Sequence, residues 1–101
     1  MPDIIVDASL RDGEMKGVEQ DGNYVLLTRL GDEYFAISDI CSHARVQLSK
    51  GWLEGEAIVC PLHRAQFDVR DGRCLTGPRK MDLETYSVTR EDDRIIIAVS
   101  D

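Results

Sequence analysis

The feature that most constrains this 101-residue chain is the placement of its only two histidines. Each follows a cysteine closely: Cys41-Ser42-His43 has the spacing Cys-x-His, and Cys60-Pro61-Leu62-His63 has the spacing Cys-x-x-His. Sixteen residues separate His43 from Cys60. Thiolate and imidazole are both good ligands for transition metals. Two such pairs therefore predict one metal site built from two loops.

Two kinds of metal centre fit this ligand set. Two thiolates and two imidazoles close a tetrahedral zinc site. They also hold a [2Fe–2S] cluster that has two cysteines on one iron and two histidines on the other. Zinc sites usually pair like ligands at short spacing, whereas each pair here mixes a thiolate with an imidazole. This alternation favours the two-iron cluster, in which each loop gives one ligand to each iron.

Further residues extend the pattern. With Phe67-Asp68, Gly72 and Gly77-Pro78 downstream, the two pairs resemble the Rieske [2Fe–2S] signature. The resemblance covers nearly the whole chain and is closest to the small ferredoxins that serve bacterial aromatic-ring dioxygenases. It implies one [2Fe–2S] cluster, with Cys41 and Cys60 on the inner iron and His43 and His63 on the outer iron. It also implies that Pro78 belongs to a third loop that covers the cluster.

The rest of the chain reads as short strands between turn residues, which predicts an all-β fold. The predicted strands are residues 4–6, 15–19, 24–30, 34–37, 52–53, 57–59, 66–69, 74–75, 84–89 and 94–99. Turns are expected at 20–23 and 91–93, and a loop at 44–51. The resemblance implies a β-sandwich with a small cluster-binding subdomain at one end, roughly residues 41–78. We expect a single domain over residues 1–101.

Departures from the family pattern carry information about the reduction potential. High-potential Rieske proteins have a disulfide between the ligand loops, whereas Val46 and Leu62 stand at those positions here. They also have a serine and a tyrosine that donate hydrogen bonds to the cluster sulfurs, where this chain has Ala65 and Phe67. Such donors raise the potential. We therefore expect a potential toward the low end of the Rieske range, which runs from about −150 to +300 mV.

Three other residues near the ligands invite interpretation. Arg64 stands where the family usually has glycine, so it is strained by about 1–2 kcal/mol if the backbone there needs a positive φ. Arg45 and Arg64 are candidate docking residues, although solvated loop charges are the ordinary alternative. Cys74 is expected to be an ordinary packed thiol.

Composition bounds where the protein works and what it binds. A net charge of −7 does not suit a nucleic-acid partner. No apolar run approaches the roughly 20 residues that span a bilayer. The first residues lack the basic and apolar regions of a secretory signal. Two of the three cysteines lie in ligand pairs, which indicates a reducing compartment. We expect a cytoplasmic protein.

The predicted function is one-electron transfer and not catalysis. Both histidines are used by the cluster, so none is left for an oxygenase iron site, and no dinucleotide-binding glycine motif is present. The resemblance implies transient partners: a flavin-containing ferredoxin reductase as donor and a terminal aromatic-ring-hydroxylating dioxygenase as acceptor. Two alternatives are a small Rieske subunit of a nitrite reductase and a zinc-stabilised interaction module. A monomer is the default for a small carrier.

Overall fold

A computed structural model describes residues 3–7, 9–41, 46–62, 64–76 and 82–98. This part of the chain contains ten strands and one short 3-10 helix, Leu48–Lys50. The helix lies in the segment that was predicted to be loop. The strands are β1 Ile4–Asp7, β2 Met15–Gln20, β3 Asn23–Leu30, β4 Glu33–Ser38, β5 Trp52–Glu54, β6 Ala57–Val59, β7 Gln66–Asp68, β8 Cys74–Thr76, β9 Thr85–Glu91 and β10 Arg94–Ala98. The all-β prediction is confirmed. No helix in these ranges is long and apolar enough to cross a membrane.

The strands form two antiparallel sheets. Six strands follow the order β1-β10-β9-β4-β3-β2, and four follow the order β5-β6-β7-β8. Only two residue pairs join β9 to β4 in the described ladder. Ile95 and Ile97 of β10 nevertheless share a buried cluster with Val25 and Leu27 of β3. The two halves of the six-stranded sheet therefore face each other across a core, as in the predicted sandwich.

Strand β3 explains how the four-stranded sheet attaches. Val25 and Leu27 face the sandwich core, whereas Leu26 belongs to a second buried cluster with Ile58 and Phe67 of the small sheet. Successive side chains of a strand point to opposite faces. Because apolar layers cover both faces of β3, its centre is a continuous apolar run and not an alternating one.

The turn between β2 and β3 shows where the predicted boundaries fail. Asp21 and Gly22 have φ angles of 52° and 83°, the conformation of a type I′ hairpin, which the Asp-Gly pair favours. The predicted hairpin turn over residues 20–23 is confirmed, because Asp21 and Gly22 are its central residues and Gln20 pairs with Asn23 at its ends. The two strands each extend one residue beyond the predicted ranges 15–19 and 24–30. Glu91, assigned to the next predicted turn, likewise pairs with Arg94. The polar residues at the ends of β2 and β9 are the reason that the predicted ranges of these strands end too early.

Candidate metal centre

The first ligand loop begins at Cys41, three residues after the end of β4. The Cys41 side chain is 1% exposed. Its backbone N–H donates to the carbonyl of Val46 at 2.9 Å, and Ile40 pairs with Gln47 in an isolated bridge. These two interactions join the beginning of the loop to its end, so they fix the position at which the loop leaves the sheet.

Asp39 organises the base of this loop, and sequence reasoning missed it. Its fully buried carboxylate accepts hydrogen bonds from the Ser49 backbone N–H and hydroxyl, both at 2.7 Å. Its carbonyl accepts the Leu48 N–H at 2.6 Å. Burial raises the pKa of Asp39, against the opposing effect of the Ser49 hydrogen bonds. An aspartate at the end of an apolar strand gives no sequence signal for this role.

The second ligand loop begins at Cys60, directly after β6. The Cys60 side chain is fully buried, and its backbone N–H donates to the carbonyl of Ala65 at 2.8 Å. Burial raises the pKa of the Cys60 thiol above its ordinary value. A hydrogen bond from the Leu62 backbone N–H lowers that pKa, and the neighbouring Cys41 thiol raises it. The two cysteine side chains of the prediction therefore meet in one buried place.

The structure brings together the two cysteines of the predicted ligand set. The other site residues named from the sequence, His43, His63, Pro78 and Arg45, lie outside the described residues.

Comparison with known proteins now gives the family. The family model for the Rieske [2Fe-2S] domain matches residues 2–87. The chain belongs to the Rieske [2Fe–2S] domain family. Its cofactor is accordingly one [2Fe–2S] cluster, as predicted, and the zinc alternative is not favoured.

The relatives and structural neighbours of this chain show which class of Rieske protein it resembles. The ferredoxin component of a naphthalene 1,2-dioxygenase system from Pseudomonas aeruginosa is 35% identical over 97% of this chain and 94% of that protein. The ferredoxin of carbazole 1,9a-dioxygenase from Nocardioides aromaticivorans IC177 superposes with a TM-score of 0.90 at 32% identity, covering 99% of this chain and all of that one. These relatives are ferredoxin components, which confirms the prediction of an electron carrier.

A third similar structure includes a partner. A chain from the complex of reduced oxygenase and oxidized ferredoxin in carbazole 1,9a-dioxygenase superposes with a TM-score of 0.85 at 30% identity, over 91% of this chain and 96% of that one.

The described half of this Rieske site fits a [2Fe–2S] cluster. Two thiols lie side by side, shielded from water, and a backbone N–H donates to one of them. Thiolate is the form that binds metal, and burial in an apolar shell disfavours that charge unless a cation compensates it. An iron held between Cys41 and Cys60 would supply that compensation.

The residues expected to lower the potential lie beside the cysteines. Ala65 and Phe67 are fully buried in the same apolar cluster as Cys41 and Cys60. Neither side chain carries a hydroxyl, so neither donates a hydrogen bond to a cluster sulfur. None of the three cysteines, all in the described ranges, is in a disulfide.

Arg64 has the conformation that the family's glycine would favour. Its φ is 56°, in the left-handed region, and its side chain is exposed. Because φ is positive, the backbone strain that was expected for an arginine at this position is present.

Cys74 is a buried thiol in the same apolar cluster as the two predicted ligands. It is 7% exposed, and its backbone N–H donates to a carboxylate oxygen of Asp82 at 2.9 Å. The position of its side chain agrees with the expected role of a packed residue.

A second buried carboxylate, Asp68 at the end of β7, ties the small sheet to its own turns. Its oxygens accept a hydrogen bond from the Arg70 backbone N–H at 2.9 Å. They accept two more from the Arg70 guanidinium group, at 3.2 and 3.1 Å. Arg70 also lies 3.0 Å from the carboxylate of Glu56. The hydrogen bond from the Arg70 side chain is the main reason that the pKa of Asp68 falls below its ordinary value. The strand and turn pattern of the sequence does not indicate this interaction.

Proposed function

We propose that this Rieske protein is the ferredoxin component of an aromatic-ring-hydroxylating dioxygenase system. It carries one electron at a time from a flavin-containing ferredoxin reductase to the Rieske centre of a terminal oxygenase. The observation that carries the proposal is the buried Cys41–Cys60 pair, held at the ends of two strands in a chain with ferredoxin relatives of such systems. Among the described residues, no group of three or more His, Cys, Asp or Glu side chains could hold a further metal ion.

The proposed ligands are Cys41 and Cys60 for the inner iron and His43 and His63 for the outer iron. The cluster, when bound, supplies the one-electron chemistry by which an electron passes from the donor protein to the acceptor protein. The chain keeps water from the cysteine sulfurs by burial, and it fixes the spacing of the loop ends through the Cys41–Val46 and Cys60–Ala65 hydrogen bonds. We further propose one domain over residues 1–101, with the cluster-binding subdomain at about 41–78.

A low potential follows from the apolar surroundings. The two missing hydroxyl donors leave the more negative, reduced cluster less stabilised. For a one-electron couple, about 59 mV corresponds to a tenfold change in the equilibrium constant. Small changes in hydrogen bonding near the sulfurs therefore decide which donors reduce the protein.

The choice of acceptor rests on the relatives. A similar ferredoxin is known in a complex with its oxygenase, and the other relatives described above belong to dioxygenase systems. This favours a dioxygenase over the nitrite reductase alternative. We also propose that the protein is a monomer with transient partners. A cytoplasmic location would provide the reducing environment that its cysteines need.

The test is electron delivery to purified acceptors. The dithionite-reduced protein is mixed anaerobically with terminal oxygenases of the naphthalene, biphenyl and carbazole systems, and the absorption of both Rieske centres is followed. We expect at least one oxygenase to be reduced by one electron per ferredoxin. Failure with all three, by protein that holds its cluster, would contradict the proposed acceptor class.

A further inference from the structure

Asp39 attaches the 3-10 helix Leu48–Lys50 to the six-stranded sheet. Its backbone N–H donates to the carbonyl of Tyr24 on β3 at 2.9 Å, and its own carbonyl accepts the Leu48 N–H at 2.6 Å. Its carboxylate accepts hydrogen bonds from the N–H and the hydroxyl of Ser49, inside the helix. One residue therefore holds the sheet through its main chain and the helix through both its main chain and its side chain.

The backbone of β2 encloses this carboxylate. An added Cβ on Gly17 would lie 2.6 Å from Oγ of Ser49 and 3.0 Å from Oδ2 of Asp39, so only glycine lets the strand approach the pair this closely. Burying a carboxylate is unfavourable unless its oxygens are hydrogen-bonded. A buried ionic group is also weak evidence for stability, because apolar residues of similar size often serve as well. The arrangement at Asp39 is therefore better explained by the geometry that it imposes.

The other end of the helix lies against the second ligand loop. The Gly51 N–H, directly after the helix, donates to the Leu48 carbonyl at 2.8 Å. An added Cβ on Gly51 would collide with the carbonyl oxygen of Val59 and would lie 3.1 Å from Cδ of Pro61. Val59 and Pro61 flank Cys60 in the chain. The helix therefore connects the residue that precedes the first ligand loop to the backbone on both sides of the second cysteine.

We propose that Asp39 is a positioning residue that sets the separation of the two ligand loops through the 3-10 helix. Cys41 follows Asp39 by two residues, and Cys60 lies where Gly51 meets the second loop. The spacing of the two cysteines is then built into the fold before the cluster binds, as a preorganised metal site requires. The inference rests on the proposed function, since it takes both cysteines as ligands. It adds a residue that holds the cluster without being one of its ligands.

The first experiment compares Asp39→Ala with Asp68→Ala. Both remove a buried, hydrogen-bonded carboxylate and change the net charge from −7 to −6, but Asp68 pairs with Ala57, at the end of β6 away from Cys60. Release of iron to a chelator is followed by visible absorption, and the g values of the reduced cluster are measured by EPR. We expect Asp39→Ala to release iron about tenfold faster than the wild type and to shift the g values. Asp68→Ala should release it less than about twofold faster with unchanged g values. Equal rates in the two variants, or g values that stay the same in Asp39→Ala, would overturn the proposal.

The second experiment uses Asp39→Asn and Ser49→Ala, which change the pair more gently. The asparagine keeps an oxygen for the Ser49 N–H, and its amide N–H can donate to the Ser49 hydroxyl, which also accepts hydrogen bonds. We expect Asp39→Asn to release iron within about threefold of the wild-type rate, and Ser49→Ala to fall between it and Asp39→Ala. Hydrogen exchange of β3 and β4 shows that each variant is folded. Release from Asp39→Asn as fast as from Asp39→Ala would refute a role based on hydrogen-bond geometry.

The outcomes separate this inference from the proposed function. A wild type that holds its cluster but reduces none of the three oxygenases contradicts the proposed acceptor, whereas iron release and g values need no partner protein. A wild type that reduces one of them, with Asp39→Ala indistinguishable from Asp68→Ala, contradicts only the positioning role. Should Asp39→Ala lose the protection of β3 and β4, Ser49→Ala decides. Faster iron release from folded Ser49→Ala supports the proposal, and release at the wild-type rate overturns it.

Discussion

The strands of the six-stranded sheet run for four to eight residues, whereas each described strand of the four-stranded sheet has three. Long strands joined by tight hairpins gain enough ladder hydrogen bonds and apolar contacts to order themselves. The small sheet has fewer of both, and it relies on buried side chains such as Phe67 and on the Asp68–Arg70 interaction. A metal cluster bound between the loop after β4 and the loop that joins β6 to β7 would add the stability that the short strands lack. The two sheets should therefore respond differently to loss of the cluster.

The largest effect is expected from Cys60→Ser. Loss of a proposed ligand should abolish the [2Fe–2S] cluster and lower the hydrogen-exchange protection of β6 and β7, while β3 and β4 keep theirs. Cys74→Ser is the control, since it changes a buried thiol outside the proposed ligand set. Iron analysis and hydrogen exchange check both variants. Equal loss of iron in the two would break the ligand assignment.

Phe67→Ala should come next, with a loss of about 3–5 kcal/mol in the free energy of unfolding because it opens a cavity. Ile97→Ala, in the core of the six-stranded sheet, should cost about 2–5 kcal/mol. Guanidinium unfolding measures both losses, and iron analysis shows how they differ. Only Phe67→Ala should lower the iron content of the folded protein. A similar iron loss in Ile97→Ala would mean that the two sheets are not separable.

Phe67→Tyr should raise the reduction potential by about 60 mV or more if the new hydroxyl reaches a cluster sulfur. A hydrogen bond to a charged group contributes about 1.5–3 kcal/mol, and about 59 mV corresponds to a tenfold change in the equilibrium constant. Phe35→Tyr, on β4 of the six-stranded sheet, is the control and should leave the potential unchanged. Potentiometric titration measures both. No rise in Phe67→Tyr would show that this ring does not point at the cluster.

Arg64→Gly should raise the free energy of unfolding by about 0.5–1 kcal/mol, because glycine relieves the positive φ but gains freedom in the unfolded chain. Asp21→Gly, at a positive φ in the hairpin of the large sheet, should gain only a few tenths of a kcal/mol because aspartate tolerates this conformation. Urea unfolding distinguishes them. A loss of stability in Arg64→Gly would mean that the arginine side chain contributes more than its backbone strain costs.

The smallest effect concerns pH. Because the folded-state pKa of Asp68 lies below its ordinary 3.8, its carboxylate stabilises the fold above that pH, and this contribution disappears as the pH falls through the lowered pKa. Asp68→Asn should therefore cost about 1 kcal/mol or less near pH 7 and almost nothing at the acidic end. Asp93→Asn, in an exposed turn of the large sheet, is the control that removes one carboxylate charge elsewhere. A loss independent of pH would remove the ionic explanation.

The strands of the six-stranded sheet, though not their order, were predicted well from the sequence because they alternate or run apolar between recognisable turns. It also predicted the two cysteines of the centre, because ligand spacing is local in the chain. It could not predict the roles of Asp39 and Asp68, since each carboxylate finds its partners only after its loop has folded. The exposure of Trp52 was equally hidden, because a tryptophan in a short apolar strand suggests a core residue.

The most direct test of the account is EPR spectroscopy of the dithionite-reduced protein in which histidine alone is labelled with ¹⁵N. The chain has two histidines, so any nitrogen coupling that follows the label comes from His43 or His63. The account predicts two irons per chain and a rhombic Rieske signal coupled to two labelled nitrogens. An EPR-silent protein with bound zinc, or an iron–sulfur signal without histidine coupling, would contradict it.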